Sequence, residues 1–360
     1  MSPQLRGLIL HAGLLAVAAG LAARVWTRSD EATLAARTEV TVWSGSPSAV
    51  TSVSFEGERR KVRLEAREDK VGRYYVVDVD RTVETPRTAP PADGGVEAGA
   101  PAPALETRHE LQRFISVEGG DKLTRSLAPF RALRALGKVP EGQAAEFGFD
   151  KPAGTIRVDV GGARHTLVLG GTTPGGGDRY ARVAETGEVY AIPGDVSRDL
   201  EYAESRLFER ELHAWKPDDA KNVRITRGQS VRELVRVAGK RDAWADAASP
   251  SRQDETAGNW VTKLERLRAS AYDEKPSPAP GPEHLVFRAA FSAGSRPLGY
   301  LELYKLPGEP GKGEPTGEAV ESPTKPPARY LVKTEGSRFY VEVLRSSAEQ
   351  LEQDAASVLK

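Results

Sequence analysis

Apolar and polar residues alternate along much of this chain, and the alternation predicts strands. In "SVSFEGERRKVRLEARE", Val53 and Phe55 are followed across a Gly-containing turn by Val62 and Leu64 with the same period of two, the pattern of strands with one buried face. "RYYVVDVD" adds a third strand. The period changes at Leu123: Leu127, Phe130, Leu133 and Leu136 recur three or four residues apart, which predicts an amphipathic helix ending near Gly137, with Pro140 just beyond it. Alternation returns in "TIRVDVGGARHTLVLGG", "DRYARVAE" and "GEVYAIPG", read as four short strands joined by three turns. "DVSRDLEYAESRLFERELHAW" then predicts a helix over 195–215.

The order strand pair, helix, strand quartet, helix occurs again in the second half. "NVRITRGQSVRELVRVAG" matches the opening pair, and "NWVTKLERLRASAY" sets Val261, Leu264 and Leu267 on one side of a helix. "LVFRAAFSAGSRPLGYLELYKL" repeats the earlier hairpin. "RYLVKTEGSRFYVEVLRSSAEQLEQDAASVL" parallels "RYARVAETGEVYAIPGDVSRDLEYAESRL", with Tyr190 and Tyr340 near the same place in each fourth strand. A fixed element order that recurs is the signature of internal duplication. The expected fold is therefore α+β: two tandem copies of a mostly antiparallel module at 50–215 and 216–360, preceded by a membrane segment at 1–28 and a connector at 29–49. Segments rich in Pro, Ala and Gly bury little apolar surface and are expected as loops. They fall at 84–108 in the first module and at 245–258, 274–284 and 306–328 in the second.

The N-terminus changes the picture from a soluble protein to an exported one. Residues 7–23, "GLILHAGLLAVAAGLAA", carry no charge and are closed by Arg24 and Arg28. That length is at the short end for crossing a hydrocarbon core about 30 Å thick. An uncleaved anchor is the expectation, with the bulk of the chain on the periplasmic side of the inner membrane. The competing readings are a cleaved signal, with Ala16 and Ala18 or Gly20 and Ala22 as small residues at the cut, and an ordinary core helix. Composition adds exclusions. Lys plus Arg and Asp plus Glu stand at 51 each, so no global field draws in nucleic acid. The chain has no cysteine, so disulfides, thiolate metal sites and a cysteine nucleophile are ruled out.

Candidate chemistry is sparse. The glycine-rich "GGTTPGGGDRYARV" at 170–183 lacks the lysine of a phosphate-binding loop, spends one backbone donor on Pro174, and runs into a strand where a phosphate site needs a helix N-terminus. It reads as a hairpin turn equivalent to the longer proline-rich turn at 306–328. "PGEPGKGEP" around Lys312 lacks the spacing and the hydroxyl residue and reads as a surface loop. His11, His109, His165, His213 and His284 are scattered, with no pair at a ligand spacing, so no metal or cofactor is expected. Glu201, Glu204, Glu209 and Glu211 interleave with Arg198, Arg206 and Arg210 and read as a solvated helix face. Trp215 and Trp260 read as aromatics fixing helix to sheet rather than as recognition anchors. No catalytic residues are assigned.

The stretches "LAPFRALRALGKV", "EFGFDKPAGTIRVDVGGARHTLVLGGTTPGGGDRYARV", "GEVYAIPGDVSRDL" and "SRLFERELHAW" resemble the bacterial family of domain of unknown function 4340. The resemblance is good over the first module and fades over the second. It implies one N-terminal membrane helix, an extracytoplasmic repeat region and an accessory role beside ABC-type transporters; it brings no catalytic residues. The expected function is thus a non-enzymatic, membrane-anchored scaffold that binds an envelope or transporter protein through sheet edges or module surfaces. The alternatives are a ligand-binding module using a crevice between the copies, and an envelope hydrolase with a dispersed acidic pair.

Overall fold

Strands dominate because β-branched and aromatic residues alternate with charged ones through most of the chain. The computed structural model describes residue 15 and residues 39–86, 105–240, 242–308 and 327–360. In chain order the strands of the first half are β1 (Val40–Trp43), β2 (Val50–Glu56), β3 (Arg60–Glu68), β4 (Arg73–Pro86), β5 (Leu105–Ser116), β6 (Phe130–Ala132), β7 (Arg134–Lys138), β8 (Gly154–Val160), β9 (Ala163–Thr172), β10 (Asp178–Val183) and β11 (Glu188–Pro193). The second half supplies β12 (Asn222–Arg227), β13 (Ser230–Arg236), β14 (Trp244–Asp246), β15 (Ala269–Asp273), β16 (Leu285–Ala293), β17 (Arg296–Leu306), β18 (Arg329–Thr334) and β19 (Tyr340–Val343). The described α-helices are α1 (Glu118–Leu127), α2 (Gly194–Glu201), α3 (Ala203–Arg206), α4 (Glu255–Glu265) and α5 (Arg345–Val358). The fold is α+β, with antiparallel ladders. No helix among the described residues is long and apolar enough to cross a membrane. The expected anchor at 7–23 lies, Leu15 apart, outside them.

The chain divides into two compact units. One holds the described residues up to Glu58 together with Leu123–Glu201; the other holds Arg59–Lys122 and Tyr202–Lys360.

In the first unit the strands run β2-β8-β9-β10-β11-β7 across the sheet. Alternate residues of β8 are buried, so Ile156 and Val158 join Val53, Phe55, Leu167 and Leu169 in one apolar face. Trp43 closes this core at one end: its indole Nε1 donates to the Leu127 carbonyl at 2.8 Å, and its ring stacks on Phe130 and lies parallel to that of His165. The opposite face is covered by the 3-10 turn Glu141–Phe147 and the residues after it. The Phe147 ring meets Tyr180 edge-on at 4.9 Å, and the Arg182 guanidinium lies over Phe149 at 5.1 Å. The approach is close enough that a Cβ on Gly170 of β9 would overlap the Phe147 carbonyl oxygen and sit 2.9 Å from the Phe149 ring.

In the second unit β5-β4-β3 form an antiparallel ribbon, and a separate sheet runs β14-β13-β12-β16-β17-β18-β19-β15. The core of that sheet is sealed by α4 and α5. Trp260 sits between them, almost fully buried, with its Nε1 donating to the Leu351 carbonyl at 3.0 Å and its ring edge-on to Phe287. Replacing it with Phe keeps most of the buried ring but leaves that carbonyl without its donor. Trp260→Phe is expected to lower unfolding free energy by about 1–2 kcal/mol, measured by urea denaturation. A smaller cluster of Val76, Ile115 and Phe339, flanked by Tyr74 and Tyr272, packs the ribbon within this unit.

Several expectations are corrected. The helix predicted over Leu123 to Leu136 ends at Leu127, because Pro129 has no N–H and disfavours helical backbone at Ala128; Phe130 and Leu136 lie instead in β6 and β7. The helix predicted over 195–215 stops at Arg206. Beyond it the backbone is used by neighbours: Glu209 N–H donates to Ile115 O, and Arg210 O and Leu212 O accept from Ala269 N–H and the Thr334 hydroxyl. The loop expected at 84–108 begins and ends as strand, with Glu84 opposite Thr107 and Pro86 opposite Leu105; residues 87–104 lie outside the described ones. Segment 245–258 contains the end of β14 and the first turn of α4, capped by the Asp254 carboxylate accepting from Ala257 N–H at 3.0 Å. Residues 309–326 of the expected turn 306–328 are outside the described residues. The glycine-rich stretch is a hairpin: Thr173–Gly177 join β9 to β10, closed by Thr173 N–H to Asp178 O.

Candidate functional site

The core face of the second unit's sheet is turned to α4 and α5, so the alternate residues of β12, β16 and β17 are turned the other way. The ladders align them in rows. Arg224 stands opposite Ala290 and Ala290 opposite Tyr300. In the next row Thr226 faces Arg288, Arg288 faces Glu302 and Glu302 faces Lys333. A small alanine at the centre of long neighbours leaves a groove of about 580 Å³ over Ala290, rimmed by Asn222, Arg224, Glu233, Arg288 and Tyr300.

Each guanidinium on this face has its own carboxylate. Arg224 pairs with Glu233 at 3.2 Å, and Arg288 pairs with Glu302. Arg288 also lies 4.1 Å from the Tyr300 ring centroid, a cation–π contact that braces the ring. Asn222 donates its amide N–H groups to the Ser292 hydroxyl and the Gly294 carbonyl, which leaves its side-chain oxygen as an acceptor. Beyond Glu302 the face becomes aromatic: Tyr304 meets Tyr340 edge-on at 5.9 Å, and the Lys333 ammonium lies over Tyr340 at 4.9 Å. Burial pushes the Lys333 ammonium down from the usual lysine range, against the pull of Glu302. Burial likewise raises the phenols of Tyr300 and Tyr304, helped by the charge of Glu302.

Behind the groove, Glu335 ties three segments of the second unit together. Its carboxylate accepts from His213 Nδ1 at 3.0 Å, Trp215 Nε1 at 3.1 Å and the Tyr300 backbone N–H at 2.9 Å. Burial pushes this carboxyl up, but the hydrogen bond and charge of His213 and the Tyr300 N–H outweigh it and hold the group below the usual carboxylate range. The carboxylate lies so close over β17 that a Cβ on Gly299 would overlap it.

A second surface lies on the ribbon. Ile115 turns its carbonyl to the outer edge of β5, where Glu209 N–H donates to it. Alternate residues of an antiparallel strand turn their backbone the same way, so Thr107, His109 and Leu111 present theirs along that edge. Leu111 is 80% exposed and shares a shallow trough with Val79 and Tyr202.

The residues singled out in the sequence are dispersed. His109 contacts Asp80 at 3.0 Å on the ribbon, His165 stacks on Trp43, and His284 lies by its neighbour Glu283; His11 is outside the described residues. Only His213 and Trp215 meet, at Glu335. Of the charges of 198–211, Arg198 pairs along its helix with Asp195, while three carboxylates pair outward: Glu201 with Arg179, Glu204 with Arg60 and Glu211 with Arg268. No group of three or more His, Asp or Glu placed to hold a metal occurs among the described residues. Sequence reasoning passes over Ala290, Tyr300, Glu302 and Glu335. The first three carry a signal, since Arg288, Ala290 and Tyr300, Glu302, Tyr304 occupy the solvent phase of two strands whose alternation is plain.

Residues 120–284 match a family model described as Domain of unknown function (DUF4340). No curated protein and no solved structure matches the chain. The match covers the "EFGFDKP" and "LGGTTPGGG" stretches whose glycines admit the Phe147 turn onto β9, and over residues 120–284 the chain is similar to the DUF4340 family.

Proposed function

We infer that the chain is a non-enzymatic, membrane-anchored scaffold of the cell envelope, built from two copies of one α+β module and docking a transporter or envelope protein along the free edge of β5. Support for duplication comes from strand order. The sequence β2-β8-β9-β10-β11-β7 in one unit corresponds to β12-β16-β17-β18-β19-β15 in the other. In the chain, α1 precedes β7 as α4 precedes β15, and α2 follows β11 as α5 follows β19. The buried row Phe55, Ile156, Leu167 and Val183 then corresponds to Ile225, Ala289, Leu301 and Thr334. In this register Tyr190 corresponds to Val341, not to Tyr340, which lies one residue away and on the opposite face.

The observation that carries the docking reading is the β5 edge. Among the described strands β5 is the edge of its sheet, and a row of outward backbone donors and acceptors beside an exposed leucine is suited to an added strand, in which main-chain bonds supply affinity and side-chain pockets supply selectivity. The edge is already extended in this way at Ile115 by Glu209. A binding rather than catalytic role also accords with His213, whose carboxylate partner is engaged by Trp215 and a backbone N–H.

Affinity capture of the tagged full chain from membranes is expected to recover a transporter or envelope protein. Thr107→Pro, which removes an outward N–H without touching the bonds to β4, and Leu111→Lys should each reduce recovery at least tenfold. Recovery unchanged in both variants defeats the edge reading. A reporter fused after Lys360 that is active in the cytoplasm defeats the topology.

A further inference from the structure

We propose that the groove over Ala290 binds a neutral carbohydrate, a short stretch of glycan lying across β12, β16 and β17. The two guanidinium groups at the groove, Arg224 and Arg288, are matched by the carboxylates of Glu233 and Glu302. An anionic ligand would have to break these pairs or lie against a carboxylate, and a cation would meet the guanidinium groups. A neutral ligand avoids both costs.

The donors and acceptors point the same way. The Arg224–Glu233 pair sets planar donors beside planar acceptors, and both side chains are more than half exposed. The Asn222 side-chain oxygen and the Ser292 hydroxyl add acceptors along the rim. A hydroxyl both donates and accepts, so neighbouring hydroxyls of a sugar use such mixed groups fully, whereas an apolar ligand would strip them of water without replacement. The Tyr300 ring, braced by Arg288, supplies the flat apolar surface on which the C–H face of a pyranose packs. The volume, about 580 Å³, falls in the range of small-ligand sites.

The corresponding row of the first unit lacks this arrangement. There Ser54, Arg157 and Thr166 stand where Arg224, Ala290 and Tyr300 stand in the second. Arg157, paired with Glu56, occupies the alanine position. This comparison rests on the duplication inferred above; the charge and hydrogen-bonding argument does not.

The test uses the purified full chain in detergent, titrated calorimetrically with chitotetraose and cellotetraose, with tetragalacturonate as the anionic control. At least one neutral tetrasaccharide is expected to bind, and the anionic one to bind at least tenfold more weakly. Tyr300→Ala, which keeps the backbone N–H used by Glu335, should weaken binding at least tenfold. Ala290→Arg, which restores the residue of the first unit, should do the same with an unchanged thermal midpoint. Binding of neither neutral sugar, preference for the anionic one, or binding insensitive to both substitutions overturns the proposal. Thr107→Pro leaves the groove intact, so loss of partner capture with sugar binding retained separates the failure of one reading from that of the other.

Discussion

Glu335→Ala is expected to destabilise the second unit by about 2–4 kcal/mol, since hydrogen bonds to a charged group contribute about 1.5–3 kcal/mol each and breaking a buried pair about 3–5. The lower range applies because the side chain keeps 27% of its surface exposed. The substitution leaves the Trp215 indole N–H and the Tyr300 backbone N–H without their acceptor and His213 without its partner. Gly299→Ala attacks the same node from the other side, because its methyl group would displace the carboxylate. The two changes together should cost less than the sum of their separate effects, as coupled residues do.

The node also fixes a pH dependence. Glu335 titrates below the usual carboxylate range when folded, so the folded state binds its proton less readily than the unfolded chain does. Its stabilisation is present in full above the ordinary glutamate value of about 4.3 and is lost as pH falls through that value toward the depressed one. In a urea series from pH 7 to pH 3, the wild-type chain should lose more stability on acidification than Glu335→Gln. Equal acid slopes in the two proteins would remove the carboxylate from the account.

The alternating stretches of this chain are readable because one face of each strand is buried and the other is not. β8, β10 and β16 follow that period most plainly, whereas β18 is buried without a break from Arg329 to Val332. β5 is obscured because an edge strand needs little apolar surface: of residues 106–116 only Phe114, Ile115 and Ser116 are buried, and Leu111 faces solvent. The run Leu123 to Leu136 satisfies a helical period for two reasons at once, a true helix to Leu127 and then apolar residues of β6 and β7 whose spacing mimics its continuation. Glu335 is invisible for a different reason. Its partners His213 and Trp215 lie more than a hundred residues away, and only the fold brings them to β17. The groove is half visible: its residues lie on strands of plain alternation, but emptiness over Ala290 is a property of neighbouring strands in register, which no single strand encodes.

The glycines of "LVLGG" discriminate between two meanings of the same residue type. Gly170→Ala is expected to cost the first unit about 2–3 kcal/mol, the scale of overpacking in a well-packed site. Its new methyl group would overlap the Phe147 carbonyl oxygen, a backbone atom that cannot rotate aside, and would press on the Phe149 ring. The 3-10 turn would have to lift from the sheet, carrying Phe147 off Tyr180 and Phe149 off Arg182. Gly171→Ala should instead change stability by no more than about 0.5 kcal/mol, as substitutions away from special features do. A Cβ there meets nothing nearer than the same carbonyl oxygen at 3.6 Å, an ordinary contact. Alanine also restricts the unfolded chain more than glycine does, which offsets part of any small loss. Paired thermal and urea denaturation of the two single variants decides the matter. Equal effects at both positions would mean that these glycines serve the strand alone, and that the turn is not held against it.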